Sequence, residues 1–134
     1  MTEELKQVMA TAEVWTKEPF DAETRAQVQA MINAEDKTDL IDSFYRTLEF
    51  GTGGLRGIMG PGTNRMNKYI VAQATQGYAN YMLKVQAQNG FENVQNGQIA
   101  VVVGHDCRNN GRLFAETVAN IFTANAITVY LFES

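Results

Sequence analysis

Two apolar, β-branched runs limit what this chain can fold into more than any other feature. They are residues 99–103 (IAVVV) and residues 127–132 (ITVYLF). Both predict strands, and IAVVV, with no polar alternation, predicts burial on both faces. Between them stand a loop, GHDCRNNG, and a helix at about 111–125 with Leu113, Phe114, Thr117, Val118, Ile121 and Phe122 inward. Strand, short loop, helix and strand in that order predict a parallel pair joined by a right-handed crossover. In such sheets ligands collect beyond the carboxyl ends of the strands. GHDCRN occupies one such end and Ser134 the next.

The earlier segments read as helices. Spacings of three and four put Leu5, Val8, Met9, Ala12 and Trp15 on one face of a helix over 2–15. Pro19 interrupts that pattern. Asp21 stands as the N-cap of a second helix to about Asn33, with Ala22, Ala26, Val28, Met31 and Ile32 as its apolar contacts. A short third helix, from Asp39 to about Arg46, buries Leu40, Ile41 and Phe44. Short strands are expected at 47–50 and 56–59. A long helix over 68–88 follows, opened by Asn67 and closed by Asn89-Gly90, with Ile70, Ala74, Tyr78, Tyr81 and Val85 inward. Tyr69, Tyr78 and Tyr81 fit core packing better than a ligand platform. The expected fold is α/β: a mixed, largely parallel sheet with helices on both faces, preceded by an N-terminal helical extension. The extension takes residues 1–46 and the α/β domain residues 47–134.

Bulk properties exclude several classes. A chain of 134 residues with 45% hydrophobic and 19% charged content can bury an ordinary core. The net charge is −4 and the 11 lysines and arginines form no basic run, so no nucleic-acid partner is expected. A single cysteine, Cys107, and a single histidine leave no disulfide framework and no ligand set for a zinc cluster. No apolar leader and no run of bilayer-spanning length occur. The expectation is a cytoplasmic protein with no membrane partner and no metal held by its own residues. The chain stops at the tip of an apolar strand, which predicts a piece of a longer protein and an exposed edge open to self-association.

Six of the 11 glycines fall within residues 51–62, in FGTGGLRGIMGPG. A dinucleotide fingerprint, G-x-G-x-x-G, fails from Gly51, where Arg56 takes the third glycine's place, and from Gly60, where Arg65 does. A P-loop fails after Gly57 and Gly62, because Thr63 and Asn64 replace its Lys and Ser/Thr. Two uses remain. Successive glycines can gather N–H groups into a concavity for an anion, with Arg56 supplying a permanent charge and a two-pronged donor set and Thr52 a hydroxyl. Alternatively the segment is a wide connection whose arginines face solvent. Asn64, Arg65 and Asn67 form a polar group behind it, suited to capping the next helix or to touching a ligand.

At the end of the buried strand, Asp106 and Arg108 can orient other loops by ion pairing. His105 has the chemistry for acid–base work, or serves as a hydrogen-bonded structural group. Cys107 reads as a small packed residue.

FGTGGLRG, then GPGTNRMN, a long helix, a strand and a G-x-D-x-R loop resemble the N-terminal domain of the α-D-phosphohexomutases. The likeness covers most of residues 15–134 and is greatest to the phosphoglucomutase/phosphomannomutase members with an added helical N-terminus. FGTGGLRG is the more specific motif. GHDCRNN is looser: Asp106 and Arg108 match, while Asn109 stands where Ser or Thr is common. The resemblance implies a four-domain enzyme in which a phosphoserine passes its phosphoryl group to a hexose phosphate. A bisphosphate intermediate then turns over in the site, and magnesium binds near the serine. It implies that Arg56 sits beside that phosphoserine and that Thr52, Gly53 and Gly54 line the same loop, with His105, Asp106 and Arg108 in support.

The family's serine motif resembles T-A-S-H-N-P, and no Ser-His pair occurs here. The D-x-D-x-D metal loop and the sugar-recognition loops are absent as well. The expectation is therefore one wall of an active site, inactive alone, with the serine and the magnesium ligands elsewhere in the parent enzyme. The rival expectation is a non-catalytic phosphate or sugar-phosphate binding module.

Overall fold

Side chains at the helix ends decide where the first two helices begin. The structure, a computed structural model, describes residues 2–51, 54–87, 99–105 and 110–132, and of Phe50 and Gly51 the backbone alone. Helix α1 (Glu3–Val14) starts at Thr2, whose hydroxyl oxygen accepts from the Leu5 N–H at 3.2 Å. Helix α2 (Ala22–Asn33) starts at Asp21 as the sequence predicts. One carboxylate oxygen accepts from the Thr24 N–H at 3.0 Å and the other from the Thr24 hydroxyl at 2.7 Å. Helix α3 (Thr38–Phe44) has Lys37 at its N-cap, with no side-chain cap; one residue earlier, Asp36 accepts from the Thr38 hydroxyl at 2.6 Å and from the Thr38 N–H at 2.9 Å. Those two donors, the hydroxyl first, hold the Asp36 carboxyl below the ordinary aspartate range.

The chain forms two compact units, residues 1–67 and residues 68–134. In the first, α1, α2 and α3 pack on one another around Val8, Ala12, Trp15, Val28, Leu40 and Phe44. Trp15 stacks on Phe20 with ring centroids 4.4 Å apart and meets Phe44 edge-on at 5.6 Å. Ala22 and Ala26 are exposed rather than buried. The inner stripe of α2 runs through buried Val28 and half-buried Met31 and Ile32, and at 100° per residue the two alanines fall on its far side.

The expected strands at 47–50 and 56–59 are displaced and shortened. Strand β1 (Phe50–Gly51) pairs antiparallel with β2 (Gly54–Leu55), in the register Phe50↔Leu55 and Gly51↔Gly54. The flanks are already committed elsewhere. The Leu48 N–H donates to the Thr63 carbonyl at 2.8 Å, and the Ile58 carbonyl accepts from the Met66 N–H at 2.8 Å.

In the second unit, α4 (Lys68–Ala87) precedes β3 (Ala100–Val103), α5 (Gly111–Ala124) and β4 (Thr128–Leu131). β3 and β4 are parallel, with Ala100↔Thr128 through Val103↔Leu131 in register. Ala79, Met82, Ile99, Phe122 and Ile127 form the core, with Val101, Val103, Val118 and Val129 packed against it. Helix α5 ends in a left-handed turn. Ala126 has φ 61°, its N–H reaches the Thr123 carbonyl, and the Ile127 N–H reaches the Phe122 carbonyl.

Three packing expectations are corrected here. IAVVV is not buried on both faces: α4 and α5 feed one cluster on the Val101 and Val103 side, and Val102 opposite is 66% exposed. On α4 the inward residues are Ile70, Val71, Thr75, Ala79 and Met82, whereas Tyr78 and Tyr81 are 57% and 62% exposed. Small residues at 75 and 79 let α5 approach, and the tyrosines keep their hydroxyl ends in water, Tyr78 still meeting Phe122 edge-on at 6.1 Å. Leu113 is 44% exposed, because Ala115 and Phe122 carry the inner face of α5. Asn89 and Gly90, the expected end of α4, lie outside the described residues. Among the described residues no helix is long and apolar enough to cross a membrane.

Candidate functional site

The glycine segment is held by the helix that precedes it. The last carbonyls of α3 have no partner within the helix and must find donors elsewhere. Residues 63–65 supply them. The Asn64 N–H donates to the Ser43 carbonyl at 2.9 Å, and the Asn64 side-chain amide donates to the Asp42 carbonyl at 2.9 Å. Arg65 donates to that same carbonyl at 3.2 Å and pairs with the Asp42 carboxylate at 2.6 Å. Arg46 Nε donates to the Asn64 side-chain oxygen at 3.2 Å, and the Thr63 hydroxyl donates to the Arg46 carbonyl at 2.7 Å. Asn64 is accordingly buried, as is Ser43.

This close approach explains Gly62. Its φ is +126°, and a Cβ there would stand 2.5 Å from the Ser43 carbonyl oxygen. The loop is then folded back on itself. The Gly60 N–H donates to the Met66 carbonyl at 3.1 Å, complementing the Met66 to Ile58 bond. The Asn67 amide donates to the carbonyls of Gly60 and Gly62 at 2.9 and 3.0 Å.

Arg56 follows β2 at the outer end of this scaffold. It is exposed and engages none of the described residues in a hydrogen bond or ion pair. Arg65, its neighbour in the motif, is by contrast consumed by Asp42 and Asn64. Ile58 and Met59 beside Arg56 are also exposed. The arrangement presents an unengaged guanidinium from a backbone pinned two residues further on.

Of the residues singled out in the sequence, Gly54 and Arg56 lie together around Leu55, with Gly54 at φ +102°. Thr52 and Gly53 lie outside the described residues, as do Asp106, Cys107, Arg108 and Ser134. His105 follows β3 in the second unit and is half-buried. Asn64 and Arg65 bind backward to α3, a use their sequence neighbourhood does not signal. Asp42 gave no signal at all, because its partners lie 22 and 23 positions away. An open pocket of about 350 Å³ on the α1–α3 side is lined by Glu4, Thr38, Ile41, Asp42 and Tyr45. It contains none of the anion-loop residues. Among the described residues no three His, Cys, Asp or Glu side chains gather to hold a metal ion. The magnesium that the resemblance implies finds no such cluster among the described residues.

The chain has clear relatives. It is 35% identical over 119 residues to the probable phosphoribomutase of Schizosaccharomyces pombe, covering 89% of this chain and 19% of that protein. It is 34% identical over 125 residues to the phosphopentomutase of Homo sapiens, covering 89% and 19%. It is 30% identical over 119 residues to the phosphoglucomutase of Staphylococcus aureus, again covering 89% and 19%. The chain thus spans about a fifth of the length of these relatives. No solved structure matches it. The family model for phosphoglucomutase/phosphomannomutase, alpha/beta/alpha domain I, matches residues 47–134. The chain belongs to the phosphoglucomutase/phosphomannomutase family, through domain I of that fold.

Proposed function

We propose that this chain supplies one wall of the active site of a cytoplasmic phosphosugar mutase. Such an enzyme interconverts hexose 1-phosphate and 6-phosphate through a phosphoserine and a bisphosphate, the serine being supplied by the rest of the parent enzyme and not by this chain. The observation that supports this best is Arg56, an exposed and unengaged guanidinium on a tethered glycine loop. A planar guanidinium can take two phosphoryl oxygens with parallel N–H donors. In the transfer the serine P–O bond breaks as a bond from phosphorus to the sugar hydroxyl oxygen forms, the hydroxyl proton passes in net terms to the serine oxygen, and negative charge spreads over the three equatorial oxygens. Phosphoryl transfer is mostly positioning and charge stabilisation, and a donor fixed in advance costs no rearrangement as the charge moves. Thr52, Gly53 and Gly54 belong to this loop in our reading, and His105, Asp106 and Arg108 take the supporting role that the resemblance implies.

Hexose phosphates are the substrate class we assign. The relatives named for ribose and pentose make ribose 1-phosphate the competing substrate. The test is a panel assay with glucose 1-phosphate, mannose 1-phosphate and ribose 1-phosphate. The intact polypeptide carrying this chain is expected to isomerise a hexose phosphate, and the 134-residue chain alone to isomerise none. Exclusive turnover of ribose 1-phosphate would move the substrate class to pentoses. Failure with all three, combined with saturable sugar-phosphate binding by the chain alone, would replace the enzyme reading with that of a binding module.

A further inference from the structure

We propose that Arg65 and Asn64 are positioning residues for Arg56, and that they act by fastening the glycine loop to the C-terminal end of α3. The inference rests on the role proposed above for Arg56. The Arg65 side chain is only 12% exposed, while its partner Asp42 is 54% exposed. Withdrawing a guanidinium from water is a poor way to gain stability, since an apolar side chain of like volume often does as well. What the fork adds is geometry. It donates to the Asp42 carbonyl, the Asp42 carboxylate and the Asn64 carbonyl at once. Three acceptors fix the direction of the backbone at 64–65 in a way that one ammonium cannot.

The constraint passes along a short path. Residue 66 follows directly, and its N–H and carbonyl hold Ile58 and Gly60. Ile58 is two residues from Arg56. The helices of residues 1–44 thereby take part in placing the charge. Loss of Arg65 frees the 58–66 ladder from α3, and the guanidinium at 56 samples directions that miss the phosphoryl group. Misplacement of this kind lowers kcat and leaves ground-state binding largely intact.

The test is a double-mutant cycle in the intact polypeptide, with hexose phosphate as substrate. Arg65→Ala is expected to lower kcat roughly ten- to hundredfold with KM changed by less than about threefold. Arg65→Lys, which keeps the charge on Asp42 without the fork, should recover part of the loss. In an Arg56→Ala background, Arg65→Ala should cost nothing further, since it acts through Arg56. In the 134-residue chain, amide exchange should speed up at Gly60 and Met66 while Val28 stays protected. Should Arg65→Ala unfold the helices, Asp42→Asn removes only the exposed carboxylate and should give a smaller kcat loss of the same kind. Unchanged kcat despite faster exchange, or the same loss with and without Arg56, would overturn the inference alone. Full activity in Arg56→Ala would instead remove the role of Arg56, and the positioning role with it.

Discussion

Replacing Gly62 by alanine tests the loop's attachment directly. The new Cβ would stand 2.5 Å from the Ser43 carbonyl oxygen and 2.9 Å from the Ser43 Cβ. That obstacle is the backbone of α3, which cannot swing aside as a side-chain tip can. A non-glycine residue at φ +126° is strained on the order of 1–3 kcal/mol. Overpacking against fixed backbone adds about 1–3 kcal/mol. Relaxation would have to stretch the bonds from Asn64 to Ser43 and from Leu48 to Thr63. A loss of roughly 3–5 kcal/mol follows, a large share of the stability of a small unit. Trp15, the chain's single tryptophan, is buried among the same helices, so its emission during urea titration reports this unit. With a slope of about 1 kcal/mol per molar urea, the midpoint should fall by roughly 3 M or more. Gly57→Ala is the control. The atoms nearest its Cβ all belong to the Leu48 side chain, the methyls at 2.9 Å, and a flexible tip can move. That variant should lose less than about 1 kcal/mol. Equal midpoints for the two variants would refute the reasoning.

Two further perturbations probe local structure. Ala126 occupies the left-handed position after α5, where glycine carries no Cβ penalty, so Ala126→Gly should stabilise the second unit by about 0.5–1 kcal/mol in thermal melts of far-ultraviolet dichroism. Asp36 is held below the ordinary aspartate range by the Thr38 hydroxyl and N–H, so the folded chain binds its proton less readily than the unfolded chain does. Its contribution is present above the ordinary aspartate pKa and is lost as pH falls through the lowered folded value. A carbon-13 titration should find Asp36 below the ordinary aspartate range, and Asp36→Asn should remove its share of the acid-side slope.

What the sequence shows depends on the range of the interaction. Asp21 caps α2 as predicted because its partner, Thr24, is three residues away. The β3–β4 pair is legible because apolar runs and a helix between them admit one simple connection. The face of α4 is not: Tyr78 and Tyr81 satisfy helical spacing as well as Ala79 and Met82 do, and the close approach of α5 decides between them. IAVVV reads as buried throughout, yet its composition carries no information on which face the helices occupy. The glycine surplus is legible as turns and close approach. That Gly62 approaches Ser43, and that Asn64 and Arg65 reach Asp42, depends on contacts about 20 residues apart in the chain. Arg56 stood out by its setting among glycines, and the structure adds that it is exposed and engages none of the described residues in a hydrogen bond or ion pair.

The most direct test of the account is the turnover number of Arg56 variants in the intact polypeptide with its best sugar phosphate. A preorganised guanidinium on the transferring phosphoryl group predicts a loss of roughly two to four orders of magnitude in kcat for Arg56→Ala. Arg56→Lys should recover only part of it, since an ammonium cannot make the paired contact. A kcat for Arg56→Ala within about threefold of the parent would contradict the account, whatever that variant does to KM.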